Sequence, residues 1–117
     1  MLTYELAIWD GQRPANDAVA LLNYLDLYDQ YIESEDYTPP CQRISIFAQA
    51  LLTRWPAIDD STNSPWAVNP LEENAQGPII YLIVARSKAA EVVPFIVQLA
   101  THNELVCFDP QEECLLP

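Results

Sequence analysis

Basic residues and glycines are both scarce in this chain, and each shortage removes a class of function. Five Lys and Arg stand against 17 Asp and Glu in 117 residues, a formal net charge of -12. Nucleic acids and anionic membranes recruit Lys and Arg, so neither is an expected partner. The only glycines, Gly11 and Gly77, lie far apart and each reads as part of a turn. That excludes a glycine-rich phosphate loop and a collagen-like repeat. The three cysteines, Cys41, Cys107 and Cys114, show no CxxC spacing and no histidine at metal-ligand spacing. They read as reduced, partly buried thiols, with no metal site or disulfide scaffold expected. No run approaches the roughly 20 apolar residues of a membrane helix, and Met1-Leu2-Thr3-Tyr4-Glu5 lacks a basic segment leading into an apolar stretch. The expected compartment is the cytoplasm.

Apolar residues, by contrast, are plentiful. They make up 50% of the chain, enough to offset the entropy of ordering it and to exclude disorder of the whole. The length fits a single domain, residues 1–117.

The pattern of apolar residues places the elements. From Leu2 to Trp9 the chain alternates, with Leu2, Tyr4, Leu6 and Ile8 on one face, as a half-buried strand requires. Asp10 to Pro14 supplies a turn, and Asn16 followed by Asp17 starts a helix predicted to reach about Ser34. Ala20, Leu21, Tyr24, Leu25, Leu27, Tyr28, Tyr31 and Ile32 share its inner arc, whereas Asp26, Asp29 and Glu33 lie opposite. The C-terminal half of this helix is expected to stand proud of the body. Thr38 and Pro39 read as the cap and first position of a second helix that ends at Pro56. Residues 57 to 77 read as a long polar loop with an edge strand at Pro65 to Val68. The unbroken apolar run Pro78 to Ala85 is expected in the middle of the sheet. Ser87 to about Thr101 reads as a third helix that Pro94 should disturb, followed by a strand at Leu105 to Phe108 and a short strand or docked tail at Cys114 to Leu116. The predicted order is β-α-α-β-β-α-β, in which each helical segment connects strands that can lie parallel. The expected class is α+β: a ferredoxin-like α/β sandwich with an extra helix, one sheet with helices packed on it.

Catalytic chemistry is thinly represented. His102 falls near the end of the third helix, where it favours the dipole, and no local signature makes it a general base. The acid pairs Asp59-Asp60, Glu72-Glu73 and Glu112-Glu113 lack calcium-loop spacing, and neighbours in loops usually point apart. No catalytic residue, metal ligand or cofactor site is expected. Trp55 and Trp9 read as core and sheet-end residues. Trp66 either anchors the polar loop or presents an aromatic hot spot to a partner.

The acids of the first helix carry the functional expectation. Asp26, Asp29, Glu33, Glu35 and Asp36, with Tyr37 beside them, fall in a stretch from Arg13 to Arg43 that contains no base between its ends. Acids near a helix C-terminus oppose its dipole, a local conflict of the kind found at functional sites. Such a surface would steer a basic protein partner with fast, salt-sensitive association. The candidate partner-binding residues are these six together with Asp59, Asp60 and Trp66.

The segments Tyr4-Glu5-Leu6-Ala7-Ile8-Trp9-Asp10 with Pro14, Ser64-Pro65-Trp66, Pro70-Leu71, and Tyr81 to Gln111 ending in Cys107-Phe108-Asp109-Pro110-Gln111 resemble a group of small acidic bacterial immunity proteins. These belong to polymorphic-toxin, contact-dependent or type VI secretion systems. The resemblance covers most of the chain and implies tight binding to a cognate toxin domain, with no reaction of its own. It carries no binding residue onto a numbered position. An acidic adaptor or regulatory module, or a small enzyme with a cleft formed by the long loop, are the competing expectations.

Overall fold

The computed structural model describes residues 3–56, 65–67 and 74–116. Asp59 and Asp60, with the acid pair Glu72-Glu73, lie outside them. Strand β1 (Thr3–Trp9) is followed by helix α1 (Asp17–Leu27), a π-helical turn (Tyr28–Ile32) and helix α2 (Gln42–Arg54). Strands β2 (Ala75–Gln76) and β3 (Ile79–Ala85), a 3-10 turn (Arg86–Lys88), helix α3 (Ala89–His102) and strands β4 (Val106–Asp109) and β5 (Cys114–Leu115) complete the chain. The result is an α+β fold with one five-stranded sheet in the order β2-β3-β1-β4-β5, every adjacent pair antiparallel. No two adjacent strands are parallel. Strands joined through helices do share a direction, β1 with β2 and β3 with β4, but an antiparallel strand separates each pair. The centre of the sheet is β1, with β3 beside it, so the apolar run read as the middle strand is one position off centre.

Both faces of the sheet are covered. Leu6 and Ile8 of β1 enter a core with Ile44, Phe47, Ala48 and Leu51 of α2 and Val92, Ile96 and Ala100 of α3. The alternate residues Ala7 and Trp9 enter a second core with Ala20, Leu21, Tyr24 and Leu27 of α1 and with Tyr28, Tyr31 and Ile32 of the π turn. Because successive strand side chains point to opposite faces, this two-sided burial makes β1 a fully covered strand rather than a half-buried one. The C-terminal half of the first helix therefore does not stand proud. Its aromatic residues lie on the sheet, with Tyr28 meeting Tyr81 edge-on at 5.0 Å between ring centroids.

Asn16 caps α1 by accepting the Val19 N–H at 2.9 Å, as its sequence position requires. Beyond Leu27 the hydrogen bonding widens, and Glu33 N–H donates to the Tyr28 carbonyl at 2.9 Å, an i to i−5 bond. Helix α2 starts later than expected. Pro40 pairs with Gly77 in an isolated bridge and Cys41 N–H donates to the Gly77 carbonyl at 2.8 Å, so the first helical residue is Gln42. Pro94 sits inside α3, whose regular part extends to His102.

Among the described residues, several of those quoted for the resemblance, Tyr4, Glu5, Asp109 and Gln111, have structural roles. Antiparallel register places Glu5 opposite Pro110, which has no N–H to give. The Gln111 side-chain amide substitutes, accepting the Glu5 N–H and donating to the Glu5 carbonyl. Asp109, buried at the end of β4, accepts from the Tyr4 hydroxyl and from the backbone N–H groups of Gln111 and Glu112. These bonds fasten the end of β4 to β1.

Both sheet edges are covered at particular positions among the described residues. Leu115 N–H of β5 donates to the Asp17 carboxylate at 3.0 Å, and the segment from Thr38 to Cys41 crosses Gly77 beside β2. Further along β3, Ala67 N–H donates to the Ile83 carbonyl and Ala85 N–H to the Pro65 carbonyl. A partner cannot join by adding a strand at these positions and must use side chains instead.

Candidate functional site

Folding turns the charge imbalance into an asymmetry between faces. Arg43 and Arg54 lie on α2, and Arg86 and Lys88 form the turn that leads into α3. These two helices cover the same side of the sheet, which gathers four of the five bases. Most are already engaged there. Arg43 pairs with Asp10 at 3.6 Å and Glu104 at 3.7 Å, Arg54 lies over the Trp55 ring, and Arg86 lies over the Tyr4 ring. The fifth, Arg13, precedes α1 and donates to the Leu116 carbonyl at 3.3 Å. The α1 side has no base from residue 14 to residue 42.

Of the nine residues expected to meet a partner, the structure exposes six together. Asp26 on α1, Asp29 in the π turn, and Glu33, Glu35, Asp36 and Tyr37 after it are all exposed. Asp36 N–H donates to the Ser34 hydroxyl, which turns this loop back on itself. Beneath the acids, burial raises the phenols of Tyr24, Tyr28 and Tyr81 above their ordinary range. The nearby charges of Glu33 and Glu5 push Tyr28 further in the same direction. All three phenols stay neutral at physiological pH, so the carboxylates alone set the charge of this face.

Of the two roles expected for Trp66 the structure favours the anchor, and it is removed from the candidate partner-binding residues. It is 3% exposed, its indole N–H donates to the Trp55 carbonyl at 2.8 Å, and its ring meets Trp55 edge-on. It fixes residues 65–67 against the end of α2, and at 3% exposure it offers almost no surface to a partner. Of the expected edge strand Pro65 to Val68, the described residues 65–67 lie along β3 and form an isolated bridge, Trp66 with Val84. Asp59 and Asp60 lie outside the described residues.

The periodicity also left part of the site unnoticed. Leu22 is 67% exposed, Leu25 is 52% and Val19 is 39%. Leu22 stands one turn from Asp26, and Leu25 one turn from Asp29. At 100° per residue Leu22 and Val19 fall on the same side of the helix as Asp26, the one signal in the sequence that points to their exposure. Leu25, expected on the inner arc, lies at the edge of that arc and is half exposed.

Groups suited to catalysis are dispersed. His102, the last residue of α3, lines a hollow with Phe95, Gln98 and Leu99, and no cysteine lines it. Cys41 lines a different hollow beside Asp10, Gln42, Arg43 and Ile46, where Asp10 and Arg43 already pair. Burial pushes the Cys107 thiol up to about 12, so it remains protonated and inert at neutral pH. Among the described residues, no three His, Cys, Asp or Glu side chains gather as metal ligands, and no helix is long and apolar enough to cross a membrane. Comparison of the chain with protein-family models, with curated proteins and with solved structures finds no match.

Proposed function

We propose that this protein is a non-enzymatic immunity protein that binds and neutralises a cognate bacterial toxin domain acting in the cytoplasm, with the acidic α1 face as its binding surface. The observation that carries the reading is the segregation of charge: exposed acids line α1 and the turn after it, while four of the five bases lie on or lead into the opposite helices. A toxin that acts on a polyanion needs a basic cleft, and a preformed acidic surface can fill it. The covered edge positions favour a side-chain interface, which a helical face supplies. The strand order β2-β3-β1-β4, with α2 and α3 on one side, supports a ferredoxin-like core to which α1 is the added layer. On this reading the added layer is the functional one.

The test is to mix the purified protein with the basic toxin domain encoded beside its gene, and to express the two together in cells. A stable complex and surviving cells are expected. Absence of a complex together with absence of protection overturns the reading.

A further inference from the structure

We infer that the outer face of α1 is a mixed apolar and anionic docking surface for a cationic amphipathic helix, with Leu22 and Leu25 as its apolar anchors. The inference rests on the protein-binding reading above and specifies the chemistry of the partner. Its starting point is a conflict that acidity alone does not explain. A helix that needed only a solvated acidic face would not leave two leucines more than half exposed on it. They stand three residues apart, neighbours on a helix surface, with Asp26 four residues from Leu22 and Asp29 four residues from Leu25. Apolar knobs bordered by acids match a helix that carries leucine-type residues between lysines and arginines.

A hollow on the other side of Asp26 from Leu22 extends the match. It has a volume of about 280 Å³ and lies between the β1–α1 loop and α1, lined by Trp9, Asp10, Gln12, Asn23, Asp26 and Leu27 among others. Asp10 is already paired with Arg43. Asp26 has no ion-pair partner among the described residues, and it borders both this hollow and Leu22. One Lys or Arg of the incoming helix can therefore enter the hollow towards Asp26 while its apolar neighbours cover Leu22 and Leu25.

Charge decides between occupants. A second copy of this chain would bring Asp26, Asp29 and Glu33 against the same acids, and like charges in contact oppose association. An anionic lipid surface meets the same repulsion with no lysine on α1 to offset it. Strand addition is blocked at the edge positions described above, which leaves a helix as the element whose ridges fit beside α1.

The probe is a labelled helical peptide of leucine and lysine in amphipathic order, with a leucine and glutamate peptide as its counterpart. Binding of the lysine peptide is expected, with amide shifts confined to α1 and the turn after it. The double variant Leu22→Ser with Leu25→Ser should weaken it about tenfold or more, from the apolar area no longer covered, while Ile46→Ser on α2, a side chain 52% exposed on the opposite layer, leaves it unchanged. Both variants alter exposed side chains, and unchanged thermal unfolding confirms that they fold. Equal binding by the double variant, equal binding of the glutamate peptide, shifts centred on another face, or a wild-type dimer dissolved by the double variant would each overturn the inference. Neutralisation of the toxin that survives the double variant would sink this inference and leave the immunity reading standing. Peptide binding to α1 with no toxin bound would do the reverse.

Discussion

Replacing Gly77 by alanine is expected to destabilise the protein by roughly 2–4 kcal/mol, combining the usual penalties for left-handed backbone and for overpacking. Gly77 has a φ of +51°, a region that residues with a Cβ enter at a cost. An added Cβ would stand 2.6 Å from Cε1 and 2.8 Å from Cδ1 of Tyr31. The ring is held in the second core by its neighbours and cannot withdraw freely. The same residue ties the β2–β3 turn to the segment from Thr38 to Cys41, since its N–H lies 3.2 Å from the carbonyls of Thr38 and Pro39 and its own carbonyl accepts from Cys41. Chemical unfolding of Gly77→Ala, alone and with Tyr31→Ala, checks the account. In the Tyr31→Ala background the glycine substitution should cost only about 1 kcal/mol, the backbone part alone. A Gly77→Ala protein as stable as wild type would show that the ring does not rest on this glycine. The consequence reaches function, because Tyr31 docks the π turn that carries Asp29 and leads to Glu33.

Trp66→Ala should cost about 3–5 kcal/mol, the range for removing a large buried aromatic. That is a major share of the 5–15 kcal/mol by which domains of this kind are ordinarily stable. The indole leaves a void against Trp55 and withdraws the hydrogen bond from the Trp55 carbonyl. Phe95, edge-on to Trp55 at 4.9 Å, loses its backing in turn. Trp66→Phe keeps most of the volume and should cost less, with the unpaired carbonyl as the main loss, on the order of 1–3 kcal/mol. Denaturant midpoints of the three proteins give the ordering. If Trp66→Ala kept its midpoint and lost a partner instead, Trp66 would belong to the interface and not to the core.

These two residues also show what the sequence makes legible and what it hides. Local signals held where the physics is local. Asn16 caps its helix, the apolar stripe of α2 is buried at Ile44, Phe47, Ala48 and Leu51, and His102 ends α3. Errors arose where a distant segment decides. Pro39 has the local character of a first helical residue, yet Pro40 is held by Gly77, many residues further on, and the helix waits for Gln42. Trp66 sits in a polar stretch that reads as loop, and only the edge of β3 and the end of α2 explain its burial. For β1, the alternating pattern identified two faces but not the helix covering the second one. Ala7 and Trp9 were the available hint, since both are apolar on the face expected to meet water.

The candidate site was half legible for the same reason. Composition showed the excess of acids, and helical spacing placed Asp26, Asp29 and Glu33 on the outside of α1. Which side of the molecule would be free of bases depends on α2 and α3 sharing the opposite face, and that is tertiary information. The exposed leucines emerge only once the inner arc of α1 has a sheet to rest on and Leu25 falls beyond its edge. The π turn has no sequence marker that periodicity can detect; it follows from seating Tyr28, Tyr31 and Ile32 together on the sheet.

The most direct test of the central claim is the association rate of the toxin domain with the wild-type protein and with the variant carrying Asp26→Lys, Asp29→Lys and Glu33→Lys, measured over a range of salt concentrations. All three side chains are exposed, so the variant should fold as wild type does. The account predicts association of the wild type that slows steeply as salt rises, and association of the variant at least about tenfold slower at low salt with a much flatter salt dependence. Equal rates and equal salt dependence for the two proteins would contradict it and remove the α1 face from the interface.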